Sequence, residues 1–162
     1  MTNKAWEKAF DLLMINEGGY VNNKYDSGGQ TKYGISQKTY PNLDIKKLTL
    51  EQAKRIYKKD YWDVCQCDWI PDALSIALFD YAVNSGVKRA VKSLQVELNV
   101  PADGVIGLQT ISAANSLPTG KVLKNYIAAR AYFLINLPNY QHFGKGWEYR
   151  LKRVKNLAEK FL

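Results

Sequence analysis

The chain has 162 residues, 46% of them hydrophobic, which is enough to bury one core and argues for one compact domain or two small lobes sharing a cleft. Lys and Arg number 23 against 15 acidic residues, and the formal charge of +8 favours polyanions: nucleic acid, anionic lipid or the acidic polymers of a bacterial wall. No run approaches the roughly 18 to 20 apolar residues of a membrane-spanning helix, so no stable membrane insertion is expected; two cysteines one residue apart (Cys65, Cys67) and a lone, distant His142 argue against a stapling disulfide or a zinc site, and no metal or cofactor is expected.

Between Lys4 and Asn16 the residues Trp6, Phe10 and Leu13 recur at spacings of four and three, predicting an amphipathic helix. Glu17 follows on the same face. Gly18 and Gly19 then predict a helix stop in the left-handed cap conformation, with Glu17 on the last turn. The negative end of the helix and an apolar surround would both favour a protonated carboxyl there, the state that donates a proton to a leaving group. Asp26 lies among Asn22, Asn23, Ser27, Gly28 and Gly29, whose donors keep a carboxylate ionised. One neutral and one charged carboxyl is the pair that glycosidic-bond hydrolysis requires. Taken separately, the same residues also read as a solvated Glu at a helix stop and an ordinary Asp-Gly turn.

Lys32 to Ser36 predicts a short strand. Thr49 and Gln52 form a capping box that opens a helix to about Trp62. Its Tyr57, Tyr61 and Trp62 read either as a surface for stacking sugar rings or as core. A third, apolar helix follows Pro71 and ends at Gly86. On it Asp80 and Asn84 share a face; Asn84 either bonds an acetamido group or satisfies backbone, and Asp80 ties the helix to a neighbour. Asp103-Gly104 is a turn before a further helix. A long helix from about Thr119 to Asn136 ends before Pro138. The last helix, from about Trp147 to Leu162, carries Trp147, Leu151, Val154, Leu157 and Phe161 on one stripe and Arg150, Lys152, Arg153, Lys155 and Lys160 on a basic face suited to wall contact.

The segments Glu17 to Tyr20, Asp26 to Thr31 and Gly34-Ile35, with Tyr61-Trp62, Leu78 to Gly86 and Phe143 to Arg150, resemble glycoside hydrolase family 108, the N-acetylmuramidases, over nearly the whole chain. The resemblance implies a mainly α, lysozyme-like single domain with a small β element beside the cleft, and it carries the essential catalytic acid to Glu17. The spacing is also similar to that of phage lysozymes, in which a Glu is followed by eight residues, an Asp, five residues and a Thr; here eight and four residues intervene, which adds Asp26 and Thr31 as catalytic candidates. Tyr20, Gln30, Tyr33, Tyr61 and Asn84 are the substrate-binding candidates.

On this resemblance residues 1–90 form the catalytic region and residues 91–162 a helical, peptidoglycan-binding-like region packed on it as one compact unit. Leu94 to Gly107 resembles peptidoglycan-binding repeats. The expected activity is hydrolysis of the β-1,4 bond between N-acetylmuramic acid and N-acetylglucosamine in peptidoglycan glycan strands. The enzyme is expected to be a monomer made in a bacterial cytoplasm without a Sec signal peptide and acting on the periplasmic cell wall, as a phage or prophage endolysin. The alternatives are a noncatalytic peptidoglycan-binding protein and a bacterial wall-remodelling enzyme assisting secretion. Nucleic acid is not an expected partner, because the charge comes without a recognition motif.

Overall fold

The structure, a computed structural model, describes residues 3–17, 19–22 and 28–162. Among the described residues seven α-helices run in chain order as α1 (Lys4–Asn16), α2 (Leu50–Tyr57), α3 (Asp72–Ser85), α4 (Val87–Glu97), α5 (Leu108–Ser116), α6 (Thr119–Ile135) and α7 (Tyr140–Glu159). Among the same residues three short strands, β1 (Val21–Asn22), β2 (Gln30–Lys32) and β3 (Ile35–Ser36), form one antiparallel sheet between α1 and α2 in the chain. None of the helices among the described residues is long and apolar enough to cross a membrane.

Local chemistry explains most of the helix ends. The Asn3 side chain accepts from the backbone of Ala5 and Trp6 and caps α1, whose apolar face then buries Trp6, Phe10 and Leu13. Thr49 and Gln52 exchange the two bonds of the expected capping box at the start of α2. The chain continues past Tyr57 in widened, π-type turns through Asp63, which turns Trp62 into the core. Trp62 is fully buried, donates its indole N–H to Asp68 at 2.8 Å, and packs with Trp6 and Phe79 at centroid separations of 5.3 and 5.7 Å. It is core and not a sugar-binding surface. Cys65 and Cys67 are free thiols buried beside it, and burial, then the neighbouring Cys65, pushes the Cys67 thiol well up.

α3 is apolar on all sides, and such a helix is stable only when surrounded; α1, α4, α6 and α7 all pack against it. The Asp103-Gly104 turn between α4 and α5 is closed by the buried Gln95. Its amide donates to Asp103, Val105 and Thr110 and accepts from the Gly104 N–H, so the repeat-like segment is satisfied by local structure. α7 starts seven residues before the expected Trp147. The extra turns include Gly144, buried beneath Tyr140, where a Cβ would stand 2.6 Å from the Tyr140 ring. The expected strand over Lys32 to Ser36 is broken by a two-residue turn, with Val21 opposite Thr31 and Thr31 opposite Ser36 on the two flanks of β2.

At the centre of this assembly Asp80 of α3 is buried and accepts from Arg130 of α6 at 2.8 Å and from Arg150 of α7 at 3.0 Å. Burial works against its charge, but the two guanidinium groups outweigh burial and hold the carboxyl below the ordinary value of 3.8. A carboxylate with a depressed folded-state pKa contributes stability that is complete above its unfolded value and lost as the pH falls through the folded one. Asp80→Asn therefore leaves Arg130 a buried, uncompensated cation and costs about 3 to 5 kcal/mol at neutral pH. Urea unfolding of wild type and variant from pH 7 downward should show that gap narrowing only below pH 3.8.

Candidate active site

Glu17 ends α1. Its N–H still bonds the Leu13 carbonyl at 2.9 Å, but φ −99° and ψ 137° are extended, so the chain leaves the helix at Glu17 itself. The expected left-handed cap is not found at Gly19, and Gly18 lies outside the described residues. Leaving in this way projects the carboxyl from the helix end toward the Tyr33-Gly34 turn and α7.

The turn between β2 and β3 meets the carboxyl from one side. Tyr33 and Gly34 both have positive φ, 54° and 78°, the pairing of a type I′ hairpin. For a tyrosine this conformation is strained, and strain of this kind is retained where surrounding structure imposes it. Here the restraint is Tyr57 of α2, whose hydroxyl donates to the Tyr33 carbonyl at 2.7 Å. A Cβ on Gly34 would stand 2.5 Å from the Tyr57 hydroxyl oxygen and 2.8 Å from both Cδ and Oε2 of Glu17. Only glycine lets the backbone lie this close to the acid. Burial, then the adjacent Glu17 carboxyl, raises the Tyr57 phenol above its ordinary range, so it stays protonated and fixed on Tyr33.

From the other side comes Arg150. Its Nη1 lies 3.5 Å from Glu17 Oε1, while Nε and Nη2 hold Asp80. Burial disfavours its charge, but Asp80 and then Glu17 more than offset this and push the guanidinium pKa up. Arg153, one turn on, donates to Asn16 at 3.1 Å and ties α7 to the end of α1. The surround of Glu17 is thus a guanidinium, a phenol and a glycine backbone in place of the apolar pocket expected. Arg150 also leaves the basic face of α7 to which the sequence assigned it; its side chain is 13% exposed.

Of the predicted site residues, Glu17 and Tyr33 come together at this point, and Tyr61 stacks against Tyr57 with centroids 5.8 Å apart. Tyr61, Tyr57 and Gly34 line one small hollow of about 40 Å³. Tyr20 is 40% exposed just before β1; Gln30 and Thr31 are half-buried on β2. Asp26 lies outside the described residues. Asn84 is exposed at the end of α3, with its amide oxygen accepting from Arg130 at 3.3 Å. Gly34, Asp80 and Arg150 are the residues that sequence reasoning did not assign to the site, and Tyr57, read there as sugar surface or core, is buried and holds the Tyr33-Gly34 turn. The φ-permissive Gly34 within the motif and the Asp80–Asn84 face were the signals available; nothing local marked Arg150. No three His, Cys, Asp or Glu side chains group as metal ligands among the described residues.

The close approach at Gly34 has a direct consequence. Gly34→Ala adds a methyl where 2.5 to 2.8 Å separations leave no room and displaces the turn, the Tyr57 hydroxyl or the carboxyl. A shift of about 1 Å in a catalytic group costs roughly 100-fold in rate. Initial rates on purified peptidoglycan, set against thermal melting of the same proteins, should show that loss in activity far exceeding any loss in stability.

Residues 10–86 match the family described as Glycosyl hydrolase 108. Nearly the whole chain is similar to the structure of Brucella abortus SagA, at 35% sequence identity and a TM-score of 0.87, over 96% of this chain and 94% of that one. No curated protein matches. A relative this similar over this much of both chains, together with the family match around Glu17, places the chain in glycosyl hydrolase family 108: it belongs to that family and is a lysozyme-like, peptidoglycan-active glycoside hydrolase.

Proposed function

We propose that the enzyme is an N-acetylmuramidase that hydrolyses the β-1,4 bond between N-acetylmuramic acid and N-acetylglucosamine, with Glu17 as its acid. The observation that carries this reading is the carboxyl held at a helix end between the Gly34 backbone, the Tyr57 hydroxyl and Arg150. A carboxyl so fixed has one position from which to protonate a glycosidic oxygen. Arg150, itself anchored on Asp80, keeps the side chain from swinging away, and the phenol proton is committed to Tyr33. Asp26 then either stabilises the oxocarbenium-like transition state or orients the attacking water, assisted by Thr31 on β2. Tyr20, Gln30, Tyr33, Tyr61 and Asn84 contact the bound strand. Residues 1–90 carry the chemistry, and residues 91–162 serve chiefly as the scaffold that brings Arg150 to it. The setting we favour is a phage or prophage endolysin acting on the periplasmic wall, where a basic protein meets acidic polymers.

Glu17→Gln keeps the shape of the side chain and removes the proton. It should lower hydrolysis by about 10² to 10⁴ while the melting temperature holds. Reduction and mass spectrometry of wild-type products should find muramic acid at the new reducing ends. Glucosamine at those ends would overturn the bond assignment, and undiminished activity of the variant would remove Glu17 from the mechanism.

A further inference from the structure

Half of α7 has no work to do in the core. Tyr140, Phe143, Trp147 and Arg150 succeed one another at spacings of three, four and three, which puts them on one face of the helix. Toward the C-terminus the same side of the helix continues into Leu151, Val154 and Ala158, all buried. Toward the N-terminus the rings overhang. Tyr140, Phe143 and Trp147 belong neither to the core cluster nor to the half-buried apolar side chains packed on it, and Phe143 is 56% exposed. The sequence placed Trp147 on the core stripe with Leu151 and Val154; its ring neighbours are instead Tyr140 at 6.4 Å and Phe143 at 6.0 Å, on its own helix.

The rings are nonetheless held. Tyr140 lies on the bare backbone of Gly144, and its hydroxyl donates to the Glu148 carboxylate, so the ring is fixed at both ends. Phe143 also carries the edge of His142 at 6.4 Å. From Tyr140 to Arg150 the helix rises about 15 Å, longer than one pyranose ring. The end of this row is Arg150, whose other contact is Glu17.

We propose that Tyr140, Phe143 and Trp147 form a saccharide-binding ledge that stacks sugar rings of the glycan strand beyond the bond presented to Glu17. The inference rests on the glycan-cleaving reading above and extends it to the substrate. Flat rings held rigid, Phe143 exposed and Tyr140 and Trp147 half-buried, suit the apolar C–H faces of pyranoses, and their order along the helix leads to Arg150, the partner of the acid. The ledge therefore binds long strands better than short ones, because a disaccharide at the cleaved bond does not reach it.

The test uses the full-length Glu17→Gln protein, so that the strand is not cut during titration, and calorimetry with a peptide-free hexasaccharide of alternating N-acetylglucosamine and N-acetylmuramic acid, and with the disaccharide. Adding Trp147→Ala should weaken hexasaccharide binding about tenfold, adding Trp147→Phe should weaken it less, and neither should change the disaccharide. Phe143→Ala gives the same comparison if Trp147→Ala fails to fold. Equal hexasaccharide affinity with and without the Trp147 ring would overturn the ledge. So would a dimer that dissociates on Trp147→Ala while glycan affinity holds, since the rings would then be a protein interface. If Glu17→Gln still cuts the hexasaccharide, the acid assignment fails separately, and the same ratio is read from KM.

Discussion

A single buried carboxylate, Asp80, holds the positions on which the rest of the structure depends. It sits midway along the helix that every large element packs against and bonds two guanidinium groups from helices far away in sequence. Such a cluster is weak as a source of net stability, because taking three charges out of water costs several kcal/mol per ion. Arg130 even keeps its Nε without a partner among the described residues, a further cost of about 1 to 3 kcal/mol. What the cluster supplies is position. Apolar helices slide and rotate against one another at little cost, whereas a carboxylate between two forked cations has few arrangements that satisfy it.

That position is passed on to the site. Arg150 is rigid because two of its nitrogens hold Asp80, and its remaining nitrogen is therefore fixed against Glu17. Through Arg150 the buried Asp80 cluster is thus joined to the Glu17 side chain. On the other side, the strained Tyr33-Gly34 turn is held down by Tyr57 of α2. The acid is gripped by α7 and α2, neither of which adjoins it in sequence. Strain in the turn is a cost that folding alone would not select, and the turn lies directly against the Glu17 carboxyl.

The two ends of α7 show how one amphipathic stripe serves two purposes. Leu151, Val154 and Ala158 bury against the core and seat the helix; Arg150 marks the boundary; beyond it the same face continues as the rings of Trp147, Phe143 and Tyr140, which lie outside the core cluster. Gly144 belongs to this division, since a glycine in mid-helix costs about 1 kcal/mol relative to alanine and is retained where the Tyr140 ring occupies its Cβ position.

Much was already legible in local pattern. The periodicity of Trp6, Phe10 and Leu13, the Thr49–Gln52 capping box, the Pro71 and Gly86 limits of α3 and the singular place of Glu17 after an apolar helix are properties of neighbouring residues. Physics acting over three or four positions suffices to determine them. The mainly helical fold followed from those together with the family resemblance, which also singled out Glu17 as the candidate acid. What only the tertiary structure decided is where distant polar groups meet. Arg150 is 133 residues from Glu17, on a helix whose other basic side chains face solvent, and no local rule distinguishes it from Lys152 or Arg153. Trp147 likewise fits a core stripe by spacing, and whether a core lies opposite depends on where α3 ends. Periodicity tells which residues share a face; what that face meets is decided by the packing of the whole chain.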